Sequence, residues 1–439
     1  MNLTISQLHN EYNNGSLTPG QLVDDILSRC QQYDEHNIWI HLLSRDELQP
    51  YLDKLEGRTV DELPLYGIPF AIKDNIDLAG IDTTAACPAF AYQAKKSAFV
   101  VEQLIAAGAI PIGKTNMDQF ATGLVGTRSP EPWGECRNAF DKSYISGGSS
   151  SGSSVCVALG LVSFSLGTDT AGSGRVPASF NNLVGLKPSR GLLSMSGVVP
   201  ACRSLDCVSI FALTTDDANM VLEQAAIYDE DDQYARANPF DNNARHYGMP
   251  EGAFSFAVPA NDQLAFFGND AARSLFEKSV AEMEAIGGVR HEIDFTAFLQ
   301  AAILLYEGPW VAERYVAIED IITTKPDTLL PVIRNIIGGA EGKTASDAFK
   351  AEYQMQVYRE QAKKLLAGFD FLMTPTAGTI YTIDQVNADP IKLNSNLGYY
   401  TNYMNLLDCA CVAVPAGFLD NGLPWGISLV SGSMQDRKL

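Results

Sequence analysis

The apolar positions of the first sixty residues recur at helical spacing. Leu22, Val23, Ile26, Leu27 and Cys30 mark one buried face. Thr18 followed by Pro19 supplies a cap and a proline at the first helical position. Ser44 with Glu47 forms the capping box of another helix. The spacing predicts a helical cover over residues 1–60, lying against an edge of the main sheet and carrying no chemistry.

From Leu65 onward short apolar runs alternate with amphipathic stretches. Residues 68–72 read as a buried strand, 98–107 as a helix, 109–112 as a strand, 152–159 as a helix and 161–166 as a strand. A capped amphipathic helix follows over 215–228. Asp229-Glu230-Asp231-Asp232 then reads as an acidic, solvated connector. The second half predicts a strand at 254–258, a helix at 271–286, then a further strand and more helix between 295 and 321. A helix at 354–366, a buried strand within 370–376 and closing strands at 411–414 and 425–430 complete it. Such alternation predicts an α/β fold, with a parallel or mixed sheet and helices on both faces.

Composition narrows the function classes. With 46% hydrophobic and 19% charged residues, the 439-residue chain has ordinary globular content. A net charge of −21 weighs against nucleic acid or an anionic membrane surface as partner, since both need a basic face. No apolar run reaches the roughly 18 residues of a membrane span, and the first residues lack a signal-peptide pattern, so the cytosol is the expected compartment. The eight cysteines form no Cys-x-x-Cys and match no zinc spacing. Their apolar contexts, as at Cys156, read as core.

The candidate chemistry lies between Gly147 and Pro177, where two Gly/Ser/Thr clusters flank one apolar run. A serine there needs a base. The five histidines, His9, His36, His41, His246 and His291, all lie outside the region and sit in no strong motif. Gly148-Ser149-Ser150-Ser151-Gly152 fits Gly-x-Ser-x-Gly, yet no buried strand precedes it as a nucleophile elbow requires. No Gly-Lys-Ser/Thr follows the Gly147 cluster, which excludes a phosphate-binding loop of that kind. Lysine is the other known base. Lys73 ends the apolar run of the 68–72 strand, where lost solvation favours a neutral amine.

Gly67-Ile68-Pro69 leading to Lys73, then Gly147-Gly148-Ser149-Ser150, then Gly172-Ser173-Gly174-Arg175 together resemble the amidase signature family. Within it, residues 83–90, 119–130 and 200–209 are most similar to the amidase domain of the allophanate hydrolases. The resemblance implies the amidase signature fold, a large mixed β-sheet sandwiched between helices in a single domain. Residues 1–60 would be its cover, 61–218 its signature core, and 251–439 the second half of the same sheet with substrate-side helices. On this resemblance the 439 residues are expected to hold the amidase half alone, without the decarboxylating C-terminal domain usual in full-length allophanate hydrolases. Ser151 departs from the glycine that many amidases carry at that place.

The same resemblance assigns roles. Ser173 is the expected nucleophile and Lys73 the terminal base. Ser149, preceded by a cis peptide, is the relay, because a hydroxyl both donates and accepts. Backbone N–H groups of Thr170, Ala171 and Gly172 form the expected oxyanion hole, and Arg175 buttresses the nucleophile loop. Tyr306 and Arg314 are the expected substrate-binding pair, the guanidinium gripping a carboxylate. A continuous helix would leave them on neighbouring faces about two turns apart, but Gly308-Pro309 can break it. Gly123 and Gly126 are expected in the pocket wall, with main chain against substrate. The resemblance implies a small anionic amide as substrate, no metal, no organic cofactor and a homodimer. The alternatives are an amidase for another small amide, the ammonia-supplying component of an amidotransferase, and an inactive scaffold.

Overall fold

The computed structural model describes residues 2–243 and 253–439; His246 lies outside them. Thirteen strands occur among the described residues: β1 (Trp39–Leu42), β2 (Pro69–Lys73), β3 (Asp82–Thr83), β4 (Tyr92–Gln93), β5 (Ile110–Thr115), β6 (Phe164–Asp169), β7 (Val184–Lys187), β8 (Cys207–Ala212), β9 (Phe254–Pro259), β10 (Gly288–Ile293), β11 (Phe371–Pro375), β12 (Ala410–Phe418) and β13 (Pro424–Ser431). Eleven of them form one mixed sheet in the order β1-β5-β2-β6-β8-β7-β12-β13-β11-β9-β10, and β3 pairs with β4 as a small ribbon. This is the large mixed α/β sheet expected.

Two parallel trios flank an antiparallel centre. β5, β2 and β6 run parallel, as do β11, β9 and β10. The pairings between β6 and β11 are antiparallel. Parallel neighbours need crossover segments, and the helices Phe99–Ala106 and Ser151–Ala158 supply them around β2. Every residue of β2, β5 and β6 is buried, the mark of a parallel strand covered on both faces. Across β2 and β6 the rings of Phe70 and Phe164 stack with centroids 5.2 Å apart. All eight cysteines are buried and unpaired. Among the described residues no helix is long and apolar enough to cross a membrane.

Several boundaries differ from expectation. The N-terminal segment is not purely helical: β1 joins the sheet as its edge, antiparallel to β5. The strand expected at 161–166 begins at Phe164. Gly160, at φ 65°, closes the preceding helix, and the Leu161 N–H bonds back to the Cys156 carbonyl at 2.9 Å. No strand falls between 295 and 321; β10 precedes that span, which holds the helices Thr296–Leu304 and Trp310–Ala317. The helix expected at 354–366 starts at Ala345, opened by a Thr344–Asp347 capping box. Asp229 and Asp232 are buried rather than solvated. Asp229 accepts from the hydroxyls of Ser194 and Ser196, at 2.6 and 2.7 Å, and Asp232 from the Met195 N–H at 2.7 Å.

Candidate active site

β2 and β6 lie side by side and parallel, so their carboxyl ends open on the same edge of the sheet, the usual place for a site in such folds. Lys73 is the last residue of β2. β6 ends at Asp169 and runs into the turn that carries Ser173. Ser149 reaches the same edge from the segment before the helix Ser151–Ala158. Its carbonyl accepts from the Asp118 N–H at 3.1 Å, and the neighbouring Ser150 hydroxyl donates to the Thr168 carbonyl at 3.1 Å. The Gly148–Ser149 peptide is cis. These constraints leave Lys73 Nζ 2.8 Å from Ser149 Oγ and 2.7 Å from Thr168 Oγ1.

Two lysines are buried in adjacent strands here, and their partners differ. Lys114 on β5 lies 3.4 Å from an Asp74 carboxylate oxygen and donates to the Thr83 hydroxyl at 3.0 Å. Among the described residues Lys73 forms no ion pair, and its amine meets only hydroxyls. Burial pushes that amine down to about 7, with Asp118, Asp206 and Asp169 pulling it partly back up. A neutral amine has two N–H donors and one lone pair. As an ammonium, Lys73 donates to both Thr168 and Ser149; once neutral, it keeps a donor for Thr168 and has a lone pair able to accept from Ser149.

Ser173 is placed by a buried acid. Arg175 grips Asp169 bidentately, Nε to Oδ2 at 2.9 Å and Nη2 to Oδ1 at 2.8 Å. The N–H groups of Gly172 and Gly174 donate to the same carboxylate, each at 2.9 Å. Burial acts to raise the Asp169 carboxyl, but the Arg175 guanidinium overrides it and holds the group below its ordinary value. The turn is therefore wrapped around an ionised carboxylate, and Arg175 is spent on it. Ser173 Oγ lies 3.5 Å from the Gly123 carbonyl and makes no hydrogen bond to Ser149. Of the three expected oxyanion donors, Gly172 differs from expectation, because its N–H is already committed to Asp169. The N–H groups of Thr170 and Ala171 form no hydrogen bond among the described residues.

The loop from Phe120 to Arg128 packs beside Ser173 and Arg314. Gly123 and Gly126 both have positive φ, and a Cβ on them would strike Asp118 and Ser146 respectively. Gly123 turns its carbonyl to Ser173. Gly126 has no main-chain group to spare: its N–H donates to Asp118 at 3.2 Å and its carbonyl accepts from Cys136 at 3.0 Å. Arg128 donates to the carbonyls of Thr122 and Pro390, at 2.9 and 2.6 Å, and braces the loop.

Tyr306 and Arg314 meet although no single helix joins them. Gly308-Pro309 separates the helix Thr296–Leu304 from Trp310–Ala317, yet the Arg314 guanidinium carbon sits 5.4 Å from the centre of the Tyr306 ring. Arg314 is 2% exposed. Its Nη1 donates to Thr122 Oγ1 at 3.3 Å. Among the described residues its Nε has no partner, and no carboxylate lies within ion-pair distance. The adjacent Glu313 is occupied by Ser204. Thr122 touches Arg314 and Gly123 touches Ser173, so consecutive residues connect the buried cation to the hydroxyl.

Thr168, Thr122 and Asp118 escape the sequence, because their groups gain meaning only from tertiary placement. Asp169 had a signal: an arginine expected to buttress a buried loop needs an acid nearby.

The Amidase family model matches residues 21–439. Urea amidolyase of Saccharomyces cerevisiae is 46% identical over 427 residues, 95% of this chain but 23% of that protein, so the chain spans about a quarter of its length. One of the glutamyl-tRNA(Gln) amidotransferase subunits of Lacticaseibacillus paracasei is 30% identical over 97% of this chain and 93% of its own. The solved structure of Kluyveromyces lactis allophanate hydrolase superposes with a TM-score of 0.91 at 42% identity, covering 98% of this chain and 70% of that one. With its eleven-stranded mixed sheet and a family match over nearly its whole length, the chain belongs to the amidase family.

Proposed function

We propose that the chain hydrolyses the terminal amide of allophanate, releasing ammonia in the breakdown of urea. One observation carries the reading: a buried guanidinium, Arg314, with no counter-ion among the described residues, next to the wall residue that touches Ser173. A buried, unpaired cation costs several kcal/mol, roughly what a substrate carboxylate seated on it would recover. In a chain of net charge −21, that is a local exception built for an anion. The names of the urea amidolyase and allophanate hydrolase relatives support the same substrate.

In the proposed cycle Ser173 turns from the Gly123 carbonyl toward Ser149 once substrate is seated. Its oxygen attacks the amide carbon while its proton passes to Ser149, whose own proton goes to Lys73. The N–H groups of Thr170 and Ala171 receive the oxyanion. Collapse breaks the C–N bond, and Lys73 returns the proton through Ser149 to the departing ammonia. Water then cleaves the acyl-enzyme by the same relay and frees N-carboxycarbamate. The chain acts as one amidase unit; a homodimer in the cytosol goes with this reading, and light scattering of the purified protein tests the dimer.

Comparing ammonia release from allophanate, malonamate, acetamide and glutamine tests the substrate. Allophanate is expected to lead, with malonamate ahead of the two amides that lack a matching carboxylate; a preference for glutamine favours the amidotransferase reading instead. Arg314→Ala is expected to lower kcat/KM for allophanate by about 10-fold or more, from ~1.5–3 kcal/mol of lost charge-assisted hydrogen bonding. An unchanged value removes Arg314 from the site. The pH profile follows from the base. The amine must be unprotonated to work, so kcat/KM is expected to fall about tenfold per pH unit below about 7 and to level off above it. A limb centred near the ordinary lysine value contradicts a desolvated Lys73.

A further inference from the structure

The turn from Ala201 to Asp206 joins the two parts of the site. The Asp206 side chain is buried and forms no ion pair among the described residues. Its carboxylate accepts from the Thr170 hydroxyl on the nucleophile turn, from the Ala201 N–H at 2.7 Å and from the Cys202 N–H at 3.0 Å. On the other side of this turn Ser204 is clasped by Glu313, N–H to Oε1 and hydroxyl to Oε2, both at 2.7 Å. Cys202 Sγ lies 3.5 Å from the Trp310 carbonyl. Trp310 opens the helix that carries Arg314, and Glu313 is its neighbour in sequence. One six-residue turn thus touches Thr170 at one end and the anion-binding helix at the other.

We propose that Asp206 is a positioning residue of the reaction, holding Thr170 so that the free N–H groups of Thr170 and Ala171 stand in register with Arg314. A substrate anchored by its carboxylate then presents its amide carbonyl to those donors. This rests on the amide-hydrolysis reading above. Asp206 also acts through its charge. The charged groups around Lys73 are Asp118, Asp206, Asp169 and Arg314, and Asp206 is one of the acids that favour the protonated amine. Around Asp206 itself stand Lys73 and Arg314, while burial keeps the Cys202 and Cys207 thiols protonated. Burial pushes the Asp206 carboxyl up to about 6, so it is mainly ionised where Lys73 titrates.

Two substitutions separate the positioning effect from the charge. Thr170→Val deletes the hydroxyl and leaves the Asp206 carboxyl in place. It is expected to lower kcat for allophanate by about 10-fold, within the range for a misaligned oxyanion donor, with KM changed by less than about threefold. Asp206→Asn is expected to lower kcat similarly and, by removing a negative charge near Lys73, to move the acid limb down by about half a pH unit or more. A structural defect alone would lower both variants' melting temperatures without that shift. The proposal is overturned if Thr170→Val keeps kcat within about twofold of the parent, or if folded Asp206→Asn leaves the limb in place; should Asp206→Asn not fold, Thr170→Val decides. A parent chain that releases no ammonia from allophanate sinks the underlying reading instead, and the two failures cannot be confused.

Discussion

Ser173→Ala is expected to cut ammonia release from allophanate by ~10⁴-fold or more while leaving substrate affinity close to that of the parent. The hydroxyl forms the only bond between enzyme and substrate in the proposed cycle, so no partial route through an acyl-enzyme survives its loss. Affinity is expected to persist because the carboxylate grip lies on Arg314. The fold is also expected to persist: the hydroxyl's one hydrogen bond is 3.5 Å long, the weak limit of such contacts. Steady-state rates, calorimetric titration with allophanate and thermal melting check the three parts together. A loss of only about tenfold would move the nucleophile elsewhere, and Ser149 would be the next hydroxyl to test.

Lys73→Met is expected to lower kcat/KM by ~10³-fold or more at neutral pH and to abolish the acid limb near pH 7. Methionine fills much of the same volume but offers no lone pair, so the Ser149 proton has nowhere to go. Lys73→Arg is expected to rescue nothing. Its guanidinium stays protonated and has no lone pair to accept a proton. This second variant matters because it keeps the positive charge: activity recovered by arginine would mean that Lys73 works as a cation and not as a base. Rates across pH 5.5–9 on all three proteins separate the cases.

Much of this site could be read from the chain because buried parallel strands leave a plain trace. β2 is a continuous apolar run from Pro69 to Ile72, and Lys73 stands out as the charged residue that ends it. The Gly/Ser cluster at 147–154 runs into the first turn of the crossover helix, and the one at 167–174 spans the end of β6 and the turn after it. What failed had specific causes. β1 is four residues long, half-buried and set among helices, so its alternation is too short to register. The early turns of the helix Ala345–Leu366 are mostly exposed and show no apolar stripe facing inward. An acidic run normally faces water, but the hydroxyls of Ser194 and Ser196, the N–H groups of Asp231, Met195 and Tyr234, and the Arg203 guanidinium give Asp229 and Asp232 partners when buried. Helical spacing alone does not pair Tyr306 with Arg314 across Gly308-Pro309. The helix does break there, and the two side chains still meet.

Lys73, Ser149 and Ser173 all precede β8, whereas Tyr306 and Arg314 follow β10. If the proposed roles hold, cutting and choosing are inherited on separate stretches of polypeptide, meeting at the seam of Thr122 and Gly123. On that reading a descendant would acquire a new diet by rewriting the helices between β10 and β11 and leave its proton wire untouched, provided that the Glu313–Ser204 clasp still sets the two stretches in step.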